Sequence, residues 1–337
     1  MTHHTIQMGQ PGRRTVLGLG AVAALTFLPP GREAHASPVP DHKLPALSAA
    51  GLPLLTGRLR HTTVLQSFGF DEPRGHIYAL QIVEGGVRLP GEKTARTHAE
   101  RAKSGDLCLN RLAMDGSPAG HMYLKGFGHG GALGIEASAT AATLWTEWDA
   151  NPASGYGRGI CRFRFTDGRI LSRADSGLRG YRPVPGSTTN YAALDAPKRR
   201  LLLRYKKNGA PRFALYDLDR FQAGTYRPLL DMAQPGADSG LPFQGMALYG
   251  SFAYQLLGSA YGARNPSSSG GNTRLYRIDL RTGRVVHEQV EHTALHLSPR
   301  EPEGLAVLRE GTPRLCLGLT EGPVGGRGFR LYYKALS

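Results

Sequence analysis

The sequence predicts an all-β fold, a single five-bladed β-propeller built from four-stranded antiparallel blades. Two observations support this prediction. The chain of 337 residues contains 45 Gly and 23 Pro, and they separate short apolar runs, which is typical of many short strands joined by turns. In addition, a unit of two apolar segments around a tight turn occurs five times, with weak helical periodicity between the copies.

The repeated unit predicts the inner hairpin of each blade, because two apolar segments joined by a tight turn form an antiparallel pair. Further strand pairs follow, with turns such as Asp115-Gly116 and Asp167-Gly168. Spacing alone leaves four or six blades open, whereas the number of copies favours five. The copies cover residues 66–82, 134–148, 192–204, 244–256 and 303–317.

The N-terminal segment is predicted to be an export signal. Paired arginines at positions 13 and 14 precede an uncharged stretch at 15–28, which is shorter than the ~20 residues of a membrane-spanning helix. Residues 34–36 (AHA) then match the small-residue pattern cut by a signal peptidase. We therefore predict a signal peptide at 1–36, a linker at 37–59 and the propeller at 60–337.

The paired arginines indicate a twin-arginine export signal. Gly12 and Val16 stand where the usual pattern has Ser or Thr and often Phe, so the general secretion route stays open. Either route predicts a secreted, extracellular or cell-wall-associated protein without an integral membrane segment after signal removal, and we expect a monomer. Removing residues 1–36 leaves 38 basic and 25 acidic residues, a net charge of +13.

The cysteines are few and lie in apolar runs. Cys108, Cys161 and Cys316 make an odd number for an exported chain, and we interpret them as buried apolar residues, with one disulfide plus a free thiol as the alternative. No Cys-x-x-Cys, Gly-x-Ser-x-Gly or Walker motif occurs. We therefore predict no cofactor, and no metal site either, although His287, His292 and His296 have loosely metal-like spacing.

Short motifs in the repeats resemble a known family. They are residues 66–71 (QSFGFD), 105–108 (GDLC), 123–130 (YLKGFGHG), 144–147 (LWTE), 185–190 (PGSTTN), 212–216 (RFALY), 243–245 (FQG) and 300–304 (REPEG). In this order they are similar to the propeller of phage receptor-binding proteins and the teichoic acid biosynthesis protein C group. The resemblance runs from about residue 60 to the C terminus. It implies a five-bladed propeller and recognition of wall teichoic acid, and it leaves catalysis open.

Candidate site residues lie at the starts of the inner strands, because inner strands line the central channel of a propeller. A mutual hydrogen-bond ring that closes the propeller would explain the same residues, since buried polar groups need partners. The alternatives are a ligand-binding ring and a catalytic ring. The candidates at these starts are Gln66, His129, Asn190, Gln244, Glu301 and Glu303.

Three further interpretations concern charged or titratable groups. His129, in a Gly-rich loop, and Glu303 would be the general acid and base of an enzyme. Glu147 and Glu303 would form the carboxylate pair that glycoside hydrolysis needs. Arg204, followed by Lys206 and Lys207, would hold phosphates, or would be a solvated strand end. The ligand-binding candidates are thus Gln66, His129, Glu147, Asn190, Arg204, Gln244 and Glu303.

Two functions remain. The first is a secreted propeller that recognises an anionic wall glycopolymer, such as teichoic acid, at the mouth of the channel. The second is a secreted hydrolase or lyase acting on a glycan, phosphodiester or small exported metabolite there. The positive charge would attract polyphosphate and equally nucleic acid, but no stacking motif or recognition helix supports a nucleic-acid partner.

Overall fold

The computed structural model describes residues 47–336. The predicted signal peptide, the first part of the predicted linker and residue 337 lie outside this range. The first strands are β1 (Leu52–Gly57), β2 (Leu65–Asp71), β3 (His76–Ile82), β4 (Leu107–Ala113), β5 (Pro118–Lys125), β6 (Gly134–Ala137), β7 (Ala142–Ala150), β8 (Gly157–Phe163), β9 (Ile170–Ser172) and β10 (Leu178–Tyr181). The others are β11 (Thr188–Asp195), β12 (Arg200–Lys207), β13 (Ala210–Asp217), β14 (Leu230–Ala233), β15 (Phe243–Tyr249), β16 (Phe252–Leu257), β17 (Arg274–Asp279), β18 (Arg284–Val290), β19 (Pro299–Leu308), β20 (Arg314–Glu321) and β21 (Gly328–Ala335).

The described strands form five sheets, which confirms the predicted five-bladed propeller. Four sheets contain four antiparallel strands, and the first blade carries β9 as a fifth strand, parallel to β5. The inner strands of the blades are β2, β6, β11, β15 and β19. Each contacts the inner strand of the next blade, and β19 contacts β2, so the ring is closed.

The N-terminal strand completes the last blade. Strand β1 pairs antiparallel with β21, giving the sheet order β1-β21-β20-β19. The propeller therefore includes residues that the sequence analysis assigns to the linker at 37–59. Strand β1 was assigned to the linker because its partner β21 is not next to it in sequence, so no turn motif between two apolar segments indicates a hairpin there.

The core lies between neighbouring blades, where apolar faces of adjacent sheets pack together. Tyr78 and Leu80 of the first blade, for example, cluster with Leu144 and Phe163 of the second. The three cysteines are buried in these layers and unpaired. Burial raises their thiol pKa, to about 12 for Cys108, as expected for thiols that serve as small apolar side chains.

Helices are short. Helix α1 (His98–Ser104) lies in the connection between β3 and β4, and α2 (Leu218–Gln222) follows β13. Single 3-10 turns occupy Glu72–Arg74, Ala237–Ser239 and Ser267–Ser269. Between residues 47 and 336, no helix has the length and apolar character needed to cross a bilayer.

Candidate functional site

Irregular hydrogen bonding marks one end of the inner strands. In four blades the ladder between the first and second strands is interrupted near its beginning: at Gln66 in β2, at Thr189-Asn190 in β11, at Gln244 in β15, and at two points between residues 299 and 305 in β19. A bulge leaves a residue out of the ladder and redirects its side chain. At the starts of these four inner strands, the side-chain directions of the polar residues are therefore not fixed by regular strand pairing.

The second blade reaches the same level through a loop. Its inner strand β6 is only four residues long, and His129 lies in the glycine-rich loop before it. A side chain at Gly131 would place its Cβ 2.6 Å from the ring of Tyr191, and one at Gly128 would place it 2.4 Å from the carboxyl carbon of Glu147. The loop can therefore pass this close to β7 of its own blade and to β11 of the next blade only because these positions are glycine.

A cavity of about 680 Å³ lies at this end of the channel, within the ~300–1,000 Å³ typical of small-molecule sites. Of the predicted residues, Gln66, His129, Gln244 and Glu303 line it, together with Glu301. They come from four different blades. Loops supply the rest of its charged wall, with Glu84, His98 and Arg327 also lining the cavity.

Glu147, a predicted ligand-binding residue, is instead buried behind the cavity. Its Oε2 accepts hydrogen bonds from the backbone N–H of His129 (2.6 Å) and Gly130 (3.0 Å), and its Oε1 accepts one from Gly157 N–H (2.6 Å). Burial raises the pKa of Glu147 to about 7, against the lowering effect of these three donors. The carboxyl group thus ties the His129 loop to the start of β8.

Asn190 is also fully buried and does not line the cavity. Its side-chain amide donates to the carbonyl of Gly157 (3.1 Å) and its Oδ1 accepts from the Ser187 hydroxyl (3.1 Å). These contacts join the inner strand of the third blade to the second blade. Asn190 therefore joins two neighbouring blades, through partners that are not themselves candidates at the strand starts.

Arg204 lies behind an aromatic wall of the cavity. Its guanidinium stacks 4.5 Å from the ring centre of Phe243 and 5.4 Å from that of Tyr191, and its Nε donates to Gln234 (2.8 Å). Arg204 is buried, whereas Lys206 and Lys207 are exposed. The solvated-strand-end interpretation therefore holds only for the two lysines, since Arg204 supports the two rings that line the cavity.

The aromatic side chains of the cavity were not predicted. Tyr191 and Phe243 stack with their ring centres 5.5 Å apart, and Tyr156 contacts the His129 ring at 5.1 Å. All three line the cavity. Tyr191 and Phe243 directly neighbour the candidates Asn190 and Gln244, so a closer look at the residues beside each bulge would have suggested them.

Burial changes the protonation of the central groups. It raises the pKa of Glu303 well above its ordinary value, and the neighbouring charge of Glu301 raises it further. Burial likewise raises the pKa of Glu301, with Arg327 acting in the opposite direction. Burial lowers the pKa of His129 to about 4, helped by the charge of His98. At neutral pH, His129 is therefore an uncharged imidazole that can donate and accept.

The buried carboxyl groups predict an unusual pH dependence of stability. When the pKa of a carboxyl group rises on folding, protonation of that group stabilises the native state. The full contribution is present at pH values below the ordinary pKa, near 4.5, and it is lost as the pH rises towards and through the pKa of the folded state. Glu303→Gln imitates the protonated acid. At about pH 8 this variant should therefore melt a few degrees above wild type, and at about pH 4 it should melt at the same temperature as wild type.

Thermal unfolding between these pH values measures the effect. The matched control is Glu288→Gln, in an exposed pair with Arg274, which should leave the pH profile unchanged because such pairs contribute little. Parallel profiles for wild type and Glu303→Gln would contradict the assignment of a raised pKa to Glu303.

No cluster of three or more His, Cys, Asp or Glu side chains with metal-binding geometry exists in the described part of the chain. The cavity groups are instead carboxyl, amide, imidazole and aromatic. Carboxyl and amide oxygens accept hydrogen bonds from hydroxyl groups, amide N–H groups donate to them, and aromatic faces pack against apolar faces of a ligand. The arrangement can hold a compact polyhydroxylated unit.

The structure defines a closed five-bladed propeller with a ligand-sized cavity at the mouth of its channel. The family comparison agrees: residues 64–333 match the model of the phage 5-bladed beta propeller receptor binding platform domain. The chain belongs to this family, as the motif resemblance implied.

One curated protein and one solved structure are similar to the chain. A Bacillus subtilis (strain 168) protein provisionally described as major teichoic acid biosynthesis protein C is 25% identical over 286 residues, which are 82% of this chain and 60% of that protein. The tail fiber of Staphylococcus aureus phage P68 matches with a TM-score of 0.64 and 17% identity over 84% of this chain and 52% of the fiber. This chain thus spans little more than half the length of both.

A weaker likeness carries no argument about activity. The GH43_1 enzyme of Xanthomonas citri complexed with xylose matches with a TM-score of 0.44 and 12% identity, over 86% of this chain and 91% of the enzyme.

Proposed function

We propose that the protein is a secreted propeller that binds an anionic cell-wall glycopolymer of the teichoic acid type, with one unit of the polymer in the cavity at the mouth of the channel. The observation that carries the proposal is the convergence of Gln66, His129, Gln244 and Glu303 from four blades on one cavity. Membership of a receptor-binding family and the names of the two relatives support the choice of a wall polymer.

The cavity itself is suited to the sugar or polyol part of such a polymer. Three glutamates and one arginine line it, so the net charge of +13 after signal removal is not concentrated there. Carboxyl and amide groups bind hydroxyls, and the stacked rings of Tyr191 and Phe243 offer an apolar surface. The phosphates of the polymer must then contact another part of the surface.

One observation favours a second candidate, hydrolysis of a glycan or phosphodiester. Glu303 is buried beside Glu301, and both carboxyls have a raised pKa. A carboxyl group that keeps its proton near neutral pH is the usual general acid of glycoside hydrolysis. In this candidate Glu303 protonates the leaving oxygen, and Glu301 and His129 are two of the other titratable groups that line the same cavity.

The experiment is a binding and turnover assay with purified wall teichoic acid. The mature protein, residues 37–337, should retain the polymer in a pull-down and release neither sugar nor phosphate. A neutral glucan of similar size serves as the control polymer and should not be retained. Release of product would favour the hydrolytic candidate, and a protein that neither retains nor cleaves the polymer would contradict both.

A further inference from the structure

One arginine-rich segment runs from the second blade through strand β9 of the first blade and back to the second. Residues 158–182 contain seven arginines and two aspartates. Three of these arginines converge on one buried carboxylate. Arg158 Nη2 lies 2.8 Å from Asp149 Oδ1, Arg173 Nη1 lies 3.2 Å from the same oxygen, and Arg182 pairs with Oδ2.

The cluster carries two uncompensated positive charges. Elsewhere on the surface Arg274 has its own carboxylate in Glu288, as Arg330 has in Glu321, and Arg199 has two, Glu136 and Asp219. Three guanidinium groups around one carboxylate repel each other, so the arrangement costs free energy unless an anion joins it. The side chains of Arg173 and Arg182 are 50% and 51% exposed, which leaves them accessible to a ligand.

Several contacts hold the arginines in place. The guanidinium of Arg182 lies 5.2 Å from the ring centre of Trp148, and the indole N–H of Trp148 donates to the carbonyl of Arg173 (2.9 Å). Asp149 has a φ of 63°, a left-handed conformation that is uncommon for non-glycine residues. Arginines fixed in this way lose little further entropy on binding and can form two-pronged bonds to phosphate oxygens.

The cluster lies on the same face of the propeller as the cavity. Strand β7 brings Glu147, whose carboxyl binds the His129 loop, and two residues later Asp149, ~7 Å further along the strand. The following loop brings Tyr156 to the cavity and two residues later Arg158 to the cluster. Strand β7 and the loop that follows it therefore both lead from the cavity to the arginine cluster.

A groove continues from the cluster. It has a volume of about 360 Å³ and is lined by Lys103, Ala150 and Arg173 among others. Glu100 also lines it, but its carboxyl is engaged in the capping box of α1 with Thr97. The basic side chains thus extend the positive surface outward from the cavity along the second blade.

We propose that Arg158, Arg173 and Arg182 form a phosphodiester-binding subsite for the same polymer whose neighbouring unit occupies the cavity. The inference rests on the proposed function for the identity of the polymer. It divides recognition between two chemistries: the cavity binds a hydroxylated unit, and the arginine cluster binds the adjacent phosphate. Only the second of these should depend strongly on salt.

The test compares two double variants that each remove two positive charges. Arg173→Gln/Arg182→Gln alters the cluster, while Arg220→Gln/Arg281→Gln is the control. Arg220 in α2 and Arg281 after β17 follow third strands, which run parallel to the inner strands, so both lie at the end of the propeller away from the cavity. Affinity for purified wall teichoic acid is measured between about 0.05 and 0.2 M salt.

The cluster variant should bind the polymer at least about tenfold more weakly at low salt. Its salt slope should flatten by about 1.4–1.8, because each of the two lost phosphate contacts contributes ~0.7–0.9. The control should bind like wild type. A cluster variant that matches the control would overturn the subsite. Equal wild-type affinity for duplex DNA at the same phosphate concentration would overturn its assignment to a glycopolymer.

Two further variants keep the outcome interpretable. If the double variant does not fold, Arg182→Gln alone leaves two partners on Asp149 and should flatten the slope by ~0.7–0.9; an unchanged slope would overturn the subsite. Gln244→Ala separates the two proposals. If it leaves polymer affinity intact while the cluster variant loses it, the cavity assignment fails and the arginine subsite stands.

Discussion

Glu147→Leu should destabilise the propeller by ~3–5 kcal/mol, because it leaves three buried backbone N–H groups without an acceptor. With an unfolding entropy of ~2.1 cal/mol/K per residue, the melting temperature of a domain of about 290 residues should then fall by about 5–8 °C. The carboxyl of Glu147 accepts hydrogen bonds from the backbone N–H groups of His129, Gly130 and Gly157. Thermal and urea unfolding of the variant measure the loss.

A graded series tests the mechanism. In Glu147→Gln one carboxylate oxygen becomes an N–H₂ group, so at least one backbone N–H faces another donor, and the cost should be ~1–3 kcal/mol. The same substitution at Glu321, which is partly exposed and pairs with Arg330, should change stability by less than ~1 kcal/mol. Unchanged stability in Glu147→Leu together with lost polymer binding would return Glu147 to the ligand site.

The sequence predicts the fold well because local chemistry defines it. Turn pairs such as Asp167-Gly168 and the apolar runs on either side lie next to each other in the chain, so each hairpin is visible as a short pattern. The strand β1 is different, since its partner β21 lies at the other end of the chain. Helix α1 was missed although Thr97 and Glu100 form a capping box and Gly105 ends it.

The site could be predicted only in part. The expectation that inner-strand starts meet at the channel places Gln66, Gln244 and Glu303 in one cavity. It does not distinguish them from Asn190, at a similar bulge, whose side chain bonds the neighbouring blade instead. The side-chain direction of a residue in a β-bulge depends on the backbone of the neighbouring blade. The sequence pattern of a single strand does not contain that information.

The position of the positive charge on the fold could not be predicted from the sequence either. The net charge of +13 after signal removal predicts attraction of a polyanion but not where the charge lies, and the cavity contains Glu84, Glu301 and Glu303 against Arg327. The arginines of residues 158–182 are visible in sequence as a dense run, but their convergence on Asp149 depends on β8, β9 and β10 ending or beginning at the same face. We therefore expect the long-range attraction of a polyanion to act at the second blade rather than within the channel.

The largest loss of binding is expected from Gln244→Ala and His129→Ala, which should each weaken wall teichoic acid binding at least tenfold, since an unpaired polar group of the ligand costs ~1–3 kcal/mol. Both side chains are partly exposed and line the cavity, and the backbone N–H that ties His129 to Glu147 remains in the variant. Their melting temperatures should therefore stay within about 2 °C of wild type, since partly exposed substitutions of this kind change stability little.

Calorimetric titration with the purified polymer, run beside thermal unfolding, separates a binding role from a structural one. Gln222→Ala is the matched control, because Gln222 bonds Glu136 and follows β13 at the opposite end of the blades; it should bind the polymer like wild type. If His129 and Gln244 instead belong to a structural ring, their variants will melt earlier and the folded fraction will bind with full affinity. That result would contradict the assignment of the polymer site to the cavity, because substitutions in its lining would leave the affinity of the folded protein unchanged.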